Sequence, residues 1–449
     1  MTLTSGTLAR PTIGRVRESA FSATRTRPPR IGVLYPSGAG NLGDEAILQA
    51  TFASLRAHWP DAELRAFTLY PTRTAANHGV EAEPLTGINR KLFGAPRGDG
   101  PLHVRAGWAI ARRTRGVPIL GAITQSTAQW VAALTFEAVS VARAWRWLQD
   151  ADLVLASGGG QLDAVWGGTW GQPYALARWA WLAGRAGVPF AFLSVGYGGA
   201  RTGLSKRFLQ YAVSKACYCS IRDTGSRTLA EQLGARADLP IVPDLAFALE
   251  PRKPFAPRRP GYDIGISPMV YLRPGSWPIE DSAKYEKQIA LWADLVVSRV
   301  ANGDRVHLFV TDPADMDAVD DVLARVDDQT RAACKIAQAN TPNALLEFFR
   351  GLDVVVSSRL HGVLLAIVAG RPVLALSHER KVRAVMSDAG VTPFCIELSG
   401  ATLDGVTERL EDLTEQLDAC AEALRGYAAS ARAAVSRQEA LLPQLLRQI

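Results

Sequence analysis

An arginine and a histidine follow an apolar run in the segment VVVSSRLHGVLL (354–365), and both residue types bind anions. The run predicts a buried strand, and the apolar residues after it predict a helix. Arg359 and His361 are therefore expected at a helix N-terminus, where free backbone N–H groups and the helix dipole favour negative charge. We predict that Ser358, Arg359 and His361 bind a phosphate or carboxylate, with His361 as a candidate proton donor. A purely structural histidine is the alternative.

A second arginine, Arg222, ends another strand-like run in CSIRDTGSRTLAEQ (219–232). Its side chain is expected at the carboxyl end of the strand, where ligands bind in open α/β sheets. A guanidinium group is planar and meets carboxylate or phosphate oxygens two at a time. Arg222 is therefore a second candidate for binding an anion, and an ion pair with Asp223 or Asp244 is the alternative.

The glycines of GAGNLG (38–43) match the G-x-G-x-x-G pattern of dinucleotide-binding loops. The next strand-like run (62–70) closes with TLY, however, and lacks the acidic residue that would hold a ribose. Asp44 and Glu45 would also face an incoming pyrophosphate. We therefore predict a hydroxyl-binding site with Asn41 and with Asp44 as base or anchor. The alternative is a helix cap, with Asn41 capping and Asp44 reaching back.

Two further glycine-rich turns follow strand-like runs, in SGGGQLD (157–163) and LSVGYGGA (193–200). Glycines allow backbone amides to approach a ligand closely. The alternative is that both segments are only flexible turns from strand to helix. The residues that we predict to bind an acceptor in these turns are Gly159, Gly160, Gln161, Asp163 and Tyr197.

The elements that would position these residues alternate between short apolar runs and helical patterns, which is typical of βαβ units with a parallel sheet. The proline-rich stretch 249–262 predicts a linker. We predict an α/β fold in which two Rossmann-like, doubly wound domains face a central cleft. The predicted strands are 31–36, 62–70, 152–157, 189–195, 218–222, 263–268, 305–310, 353–358 and 372–377.

The predicted domain boundaries follow from these patterns. The C-terminal helices either cross back onto the first domain or form a dimer contact. The segments are a basic, disordered tail (1–30), an N-terminal domain on the acceptor side (31–250) with an inserted helical segment (85–150), a linker (251–262), a C-terminal domain on the donor side (263–405) and C-terminal helices (406–449).

Composition limits the class of protein. The chain has 449 residues and a formal net charge of +7. The tail holds six arginines against one glutamate, so most of the net charge lies there, and we expect no nucleic-acid partner. The tail lacks the apolar block of a secretory signal. Five scattered cysteines show no metal-ligand spacing, which predicts a cytoplasmic protein without a bound metal ion.

Several of these motifs, in this order, resemble those of the polysaccharide pyruvyl transferase family over roughly residues 31–380. They are GNLGDEAIL, SGGGQLD, SIRDTGS, VPDLAF and SSRLHGVLLAIVAGRPVLALS. The resemblance implies a GT-B-like fold and transfer of a pyruvyl ketal from phosphoenolpyruvate to two hydroxyls of one sugar. It also implies that the donor is held by Arg222, Arg359, Leu360 and His361.

With this resemblance, we expect His361 to act as acid or phosphate stabiliser and Asp44 as acceptor-side base or anchor. Phosphoenolpyruvate is a co-substrate, and neither a cofactor nor a metal ion is expected. The alternatives are a GT-B glycosyltransferase that uses a nucleotide sugar and a non-catalytic sugar-binding protein. A dinucleotide oxidoreductase ranks last.

The inserted segment 85–150 carries tryptophans and arginines that the family pattern does not require. It is too polar to span a bilayer, but a basic segment with tryptophans can lie on a membrane surface. In that case the acceptor is a lipid-linked or glycolipid sugar at the inner face of the membrane. The alternative is that these helices only cover the N-terminal sheet. The oligomeric state stays open.

Overall fold

The computed structural model describes residues 27–36, 39–88, 118–164, 167–199, 202–232, 238–250, 260–277 and 279–446. Nearly all of the predicted tail and linker lie outside these ranges, as does the part of the inserted segment at 89–117. The strands are β1 (Arg30–Leu34), β2 (Glu63–Thr68), β3 (Glu81–Pro84), β4 (Leu153–Ser157), β5 (Leu162–Asp163), β6 (Phe190–Val195), β7 (Tyr197–Gly199), β8 (Tyr218–Ile221), β9 (Asp263–Ser267), β10 (Arg305–Leu308), β11 (Lys335–Ile336), β12 (Val354–Ser357), β13 (Val373–Ser377) and β14 (Cys395–Glu397).

The α-helices connect these strands and follow the second sheet. They are α1 (Leu42–His58), α2 (Pro71–His78), α3 (Pro118–Gln149), α4 (Gln172–Ala186), α5 (Gly203–Lys215), α6 (Thr224–Gln232), α7 (Ser282–Ala301), α8 (Met316–Leu323), α9 (Asp328–Ala333), α10 (Pro342–Arg350), α11 (Leu360–Val368), α12 (Arg380–Asp388), α13 (Leu403–Glu415), α14 (Leu417–Glu439) and α15 (Leu442–Leu445).

The described strands form two six-stranded sheets, ordered β3-β2-β1-β4-β6-β8 and β11-β10-β9-β12-β13-β14. Neighbouring strands in both sheets pair in parallel. In each sheet the strand order reverses beside the first strand in sequence, between β1 and β4 and between β9 and β12. This is the doubly wound arrangement, whose ligand site lies at the reversal point. The predicted α/β class with two Rossmann-like domains is confirmed.

Each predicted strand has a counterpart in the structure, and the central strands are buried along their whole length. Continuous apolar runs of this kind are expected when helices cover both faces of a parallel sheet. The edge strands β3, β11 and β14 were not predicted, because the sequences EAEP, KI and CIE are short and partly or fully exposed. The small pair β5 and β7 was not predicted either.

Capping residues fix where several helices begin. Asn41 accepts hydrogen bonds from the N–H groups of Gly43 and Asp44 at the start of α1. Thr202 and Asp281 cap α5 and α7 in the same way. Each cap satisfies N–H groups that have no partner inside the helix. The first turn of α1 is thereby held next to the second sheet, where Leu42 N–H donates to the Thr311 carbonyl at 2.7 Å.

Helix α14 runs from the second sheet back to the first. Its first turns contribute Leu424 to the core of the second sheet. Its last turns contribute Val435 to the core that contains β1 and α1. Gln438 is buried there and donates to Ser194 Oγ at 3.0 Å. The C-terminal helices therefore cross back onto the first sheet, which is one of the two arrangements left open by the sequence.

Helix α3 covers one face of the first sheet with its C-terminal half. The Trp147 ring lies 5.1 Å from the Phe67 ring, and Glu137 is buried in a salt bridge with Arg178 at 2.9 Å. This part of the inserted segment packs as ordinary helix on the sheet. None of the described helices is both long enough and apolar enough to span a bilayer.

Candidate active site

A cavity of about 540 Å³ opens between the two sheets, at the carboxyl ends of their strands. Its walls come from the loops after β1, β2, β4 and β8 on one side and after β10, β12 and β13 on the other. A cavity of this size accommodates a small substrate. The charged residues that line it are Asp44, Asp163, Arg222, Asp312, Arg359, Glu379 and Lys381, together with His361.

His361 lies where the first turns of α1 and α11 meet. A Cβ atom added to Gly43 would lie 1.9 Å from the His361 ring, so the two helix starts are in direct contact. The final glycine of the G-x-G-x-x-G pattern therefore accommodates this imidazole. A second glycine, Gly40, packs against the Arg73 guanidinium, and a Cβ atom added to it would lie 2.5 Å from Arg73 Nη2. These side chains occupy the space in which a dinucleotide fold holds its pyrophosphate.

Burial holds the His361 imidazole in its neutral form. Its side chain is 14% exposed, and burial lowers its pKa from 6.5 to about 4. The Nε2 atom is buried without a hydrogen-bond partner among the described residues, and it lies 3.9 Å from Asp244 Oδ2. An unpaired buried nitrogen costs free energy, which a ligand in the cavity would recover by hydrogen bonding.

Arg359 is held by a buried carboxylate. Its Nε and Nη2 atoms each lie 2.7 Å from an oxygen of Asp315, whose side chain is fully buried. The Trp277 ring lies on the same guanidinium, 5.6 Å away. Arg359 also occupies the position before the first residue of α11, as the sequence predicts. The side chain is thus fixed at the cavity wall in one orientation.

Arg222 lines the cavity from the end of β8 and also makes the ion pairs that formed the alternative prediction. Its guanidinium lies 3.4 Å from Asp244 and 3.5 Å from Asp223. Both distances are long for charge-assisted hydrogen bonds, which favour 2.7–2.9 Å. Asp223 also caps α6 by accepting from Ser226 N–H at 2.7 Å. Arg222 therefore faces the cavity with weak internal partners.

Asp44 is half-buried beside a tyrosine. It accepts a hydrogen bond from the Tyr35 hydroxyl at 2.9 Å, and burial raises its pKa to about 7. The carboxyl group therefore changes between acid and base near neutral pH, which suits proton transfer. Asn41 caps the helix as the alternative predicted, whereas Asp44 binds Tyr35 and does not reach back to the cap. Asn41 also donates to Asp312 across the cleft at 2.9 Å.

Lys381 is a third cation at the cavity, and the sequence analysis did not single it out. Its side chain is 43% exposed, toward the cavity, and its Nζ atom lies 2.6 Å from Glu379 Oε2. Although the side chain is accessible from the cavity, the protein that surrounds it between the two sheets displaces bulk water, and this desolvation lowers its pKa to about 8; the neighbouring Arg222 contributes in the same direction. The rule that located Arg222 and Arg359 also applies here, because Lys381 follows strand β13.

The structure brings most of the predicted site residues to this one cavity. The predicted residues that line it are Asn41, Asp44, Gly159, Gly160, Asp163, Arg222, Arg359, Leu360 and His361. Gly159 requires its glycine, since its φ is +63° and an added Cβ would lie 2.2 Å from the Tyr35 hydroxyl. Gly160 has open space around its Cα.

Three predicted residues lie outside the cavity lining. Gln161 is fully buried, and its amide donates to the carbonyl oxygens of Leu34 and Ser157, so it holds the turn after β4 instead of facing a ligand. Ser358 is also fully buried, and its Oγ atom has no hydrogen-bond partner among the described residues. Tyr197 lies on β7, where its N–H donates to Ser226 Oγ. These three side chains do not line the cavity, and the binding roles predicted for them stay predictions.

Among the described residues, no group of three His, Cys, Asp or Glu side chains is arranged to hold a metal ion. Asp44 and Asp312 both line the cavity, but these two carboxylates have other partners, Tyr35 and Asn41.

A family model for polysaccharide pyruvyl transferases matches residues 41–380. Proteins of curated function give no match. Among solved structures, the chain is similar to HepE from Anabaena in complex with UDP, with 14% identity and a TM-score of 0.52 over 93% of this chain and 99% of that one. It is also similar to UDP-GlcNAc 2-epimerase from Neisseria meningitidis bound to UDP-GlcNAc, with 9% identity and a TM-score of 0.51 over 92% and 100%. These likenesses show a GT-B-like fold and nothing about the ligand.

Proposed function

The chain belongs to the polysaccharide pyruvyl transferase family, and from this premise we propose that it transfers a pyruvyl group from phosphoenolpyruvate to two hydroxyls of one sugar. The sugar is part of a cell-envelope polysaccharide or a glycolipid, the product is a pyruvate ketal, and phosphate is released. We place this activity in the cytoplasm, and we expect it to require neither a metal ion nor an organic cofactor.

The observation that carries this proposal is the convergence of three cations on one helix start. Arg222, Arg359 and Lys381 all line the cavity beside the first turn of α11. Phosphoenolpyruvate carries a carboxylate and a phosphate, so it needs two positive subsites close together. The free N–H groups at the start of α11 add to this positive field.

The reaction needs one proton delivered to carbon and two removed from hydroxyls. Protonation of the methylene carbon makes the adjacent carbon electrophilic, and one sugar hydroxyl bonds to it and loses its proton. The C–O bond to phosphate then breaks, and phosphate leaves with the electron pair. The second hydroxyl bonds to the same carbon and loses its proton, which closes the ketal. One released proton replaces the proton given to the methylene carbon, and the other leaves with phosphate.

Lys381 is the most suitable acid of the cavity. With a pKa of about 8, its ammonium group is largely charged at neutral pH and gives up a proton readily. His361, with a pKa of about 4, is neutral in the empty site. An arriving phosphate raises the proton affinity of the imidazole, so His361 acts as phosphate stabiliser. Asp44 then serves as the base for a sugar hydroxyl, because its pKa lies near 7.

The test is direct. The protein is incubated with phosphoenolpyruvate and a panel of glycosides and glycolipids, while phosphate release and the mass of the sugar are followed. We expect phosphate release that depends on the acceptor, a sugar heavier by one pyruvyl ketal, and no effect of a chelator. Arg359→Ala and His361→Ala should abolish both signals, and Arg325→Ala, far from the cavity lining, should not.

Calorimetry separates this proposal from its rivals. Binding of a nucleotide sugar without binding of phosphoenolpyruvate would favour a GT-B glycosyltransferase. Sugar binding that Arg359→Ala leaves unchanged, without any turnover, would favour a non-catalytic sugar-binding protein.

A further inference from the structure

Helices α3, α4 and α5 form a layer on the face of the first sheet opposite α1. Helix α4 packs between the other two. Trp147, Trp179 and Leu209 are core residues of this three-helix layer, buried against the sheet. The opposite face of the layer points away from the sheet.

The outward face of the layer carries an unusual set of apolar side chains. Seven of the eleven exposed large hydrophobic residues in the described ranges belong to it or to the loop before α4. Trp181 on α4 is 50% exposed and Leu134 on α3 is 61% exposed. The seven are Val131, Leu134, Val139, Trp145, Trp170, Trp181 and Leu204.

Along α3, these residues form a stripe. Val131, Leu134, Ala138 and Trp145 are exposed at helical spacing, whereas Glu137 on another side of the helix is buried. Helix surfaces that face water normally carry polar residues, and contiguous exposed apolar patches mark interaction sites. The described part of the helix therefore carries apolar side chains on both its inward and its outward side.

The exposed charges on the described part of these helices all have one sign. Each exposed charged side chain in the described part of the three helices is basic, and the lone acid, Glu137, is buried against Arg178. The exposed basic residues are Arg143, Arg146, Arg185, Lys206, Arg207 and Lys215.

The sequence that leads into α3 continues this pattern. Residues 89–117 contain seven Lys or Arg residues and one Asp. The summed net charge of this segment, the basic tail and the layer exceeds the net charge of the whole chain. The remaining residues therefore carry a net negative charge. The positive charge is concentrated on one side of the first domain and in the segments attached to it.

We propose that the three-helix layer is a docking surface for an anionic membrane, with Trp145 and Trp181 at headgroup depth and the surrounding arginines and lysines on lipid phosphates. Tryptophan prefers this depth because its ring is apolar and its N–H is polar. Each basic residue near an anionic leaflet adds to the electrostatic attraction. A second copy of the chain would bring the same basic residues against one another, which opposes self-association through this face.

The layer also reaches the cavity. Gly171 and Gln172, at the start of α4, line the cavity. Trp181 lies about 14 Å farther along the helix, at about 1.5 Å per residue. A membrane that touches Trp181 would therefore hold a lipid-linked sugar within reach of the cavity. This last step rests on the proposed function, whereas the docking does not.

The experiment is flotation of the full-length protein with vesicles of phosphatidylcholine alone or mixed with phosphatidylglycerol. We expect binding only to the mixed vesicles, weakened by salt. Two double variants should each lower the bound fraction at least tenfold. One removes apolar side chains (Leu134→Ser with Trp181→Ser), and the other reverses charges (Arg143→Glu with Arg185→Glu). Matched double variants on the second half of the chain should bind like the wild type. They are Ile279→Ser with Ile336→Ser and Lys287→Glu with Lys335→Glu.

Three results would overturn the docking proposal. One is absence of binding by the wild type. Another is full binding by the layer variants, which would assign the binding to the basic tail. The third is a change of sedimentation behaviour of the variants without a change in vesicle binding, which would make the face a self-association surface. Phosphate release with a water-soluble glycoside should be equal in wild type and layer variants, so failure of the proposed function is seen separately.

Discussion

Arg359 and Asp315 form a two-bond ion pair at the wall of the cavity, with both N···O distances at 2.7 Å. Asp315 also accepts a hydrogen bond from Val270 N–H, which fixes the carboxylate to the end of the second sheet. The chain therefore orients the Arg359 guanidinium, which we propose to bind the donor, with a side chain that does not itself line the cavity.

The variant Asp315→Asn tests this positioning. The amide keeps the bond with Val270 but presents an N–H group to the guanidinium, so one charge-assisted bond is lost. We expect KM for phosphoenolpyruvate to rise about tenfold, which corresponds to about 1.4 kcal/mol, with a smaller change in kcat. Steady-state kinetics in both substrates measures the split. Asp321→Asn, which breaks a pair with Arg273 outside the cavity lining, is the control. An unchanged KM would show that the pair with Asp315 does not position Arg359 for donor binding.

A plot of kcat/KM against pH should be a narrow bell-shaped curve. Asp44, whose pKa is raised to about 7, must be ionised to act as base, so kcat/KM rises through pH 7. Lys381, whose pKa is lowered to about 8, must be charged to act as acid, so kcat/KM falls above pH 8. Lys381→Gln should lower activity and remove the alkaline limb, and Lys287→Gln should change neither. An alkaline limb that persists in Lys381→Gln would show that another group is the acid.

The raised pKa of Asp44 also predicts how the stability of the fold depends on pH. Its pKa is raised in the folded state, so the folded state holds this proton more tightly than the unfolded chain, and the stabilisation is lost as pH rises through 7. Asp44→Asn removes the buried charge and should raise the free energy of unfolding at pH 8 by about 2 kcal/mol. At pH 5 the gain should be smaller. Thermal unfolding of both proteins at the two pH values measures it. An equal gain at both pH values would contradict the raised pKa of Asp44. Asp328→Asn, at an exposed position, is the control and should leave the free energy of unfolding unchanged at both pH values.

Gly43 should not tolerate a side chain. A methyl group there would overlap the His361 ring, so either α1 or the imidazole must move. We expect Gly43→Ala to lower the free energy of unfolding by about 2 kcal/mol and kcat/KM by about a hundredfold. Gly426→Ala, in a helix with open space around its Cα, is the matched control; it should keep wild-type kinetics and be neutral to slightly stabilising. Wild-type kinetics in Gly43→Ala would mean that the contact with His361 has no part in the reaction.

The fold was predictable where the sequence signal is local. Central strands such as β4 and β12 are continuous apolar runs, and the glycines and polar residues after them mark their ends. The edge strand β3 has the polar sequence EAEP, and it joins the sheet through its parallel pairing with β2. Pairing between distant segments leaves no periodic pattern in a short polar stretch.

The site was predictable to the level of strand ends. Arg222, Arg359 and Asp44 follow strands, and the structure places them at one cavity. The direction of a side chain within a turn was not predictable. Gln161 turns inward because Gly158 and Gly159 adopt positive φ values of 56° and 63°, which the sequence permits but does not require.

Helix α14 has a consequence for the order in which the protein matures. The core around β1 contains Val435 and Leu442, and Arg432 donates to backbone carbonyl oxygens at the end of the first domain. A nascent N-terminal half thus leaves the ribosome with an uncovered apolar face that persists until residues 417–445 are synthesised. This half therefore completes its packing only after the second half has been translated.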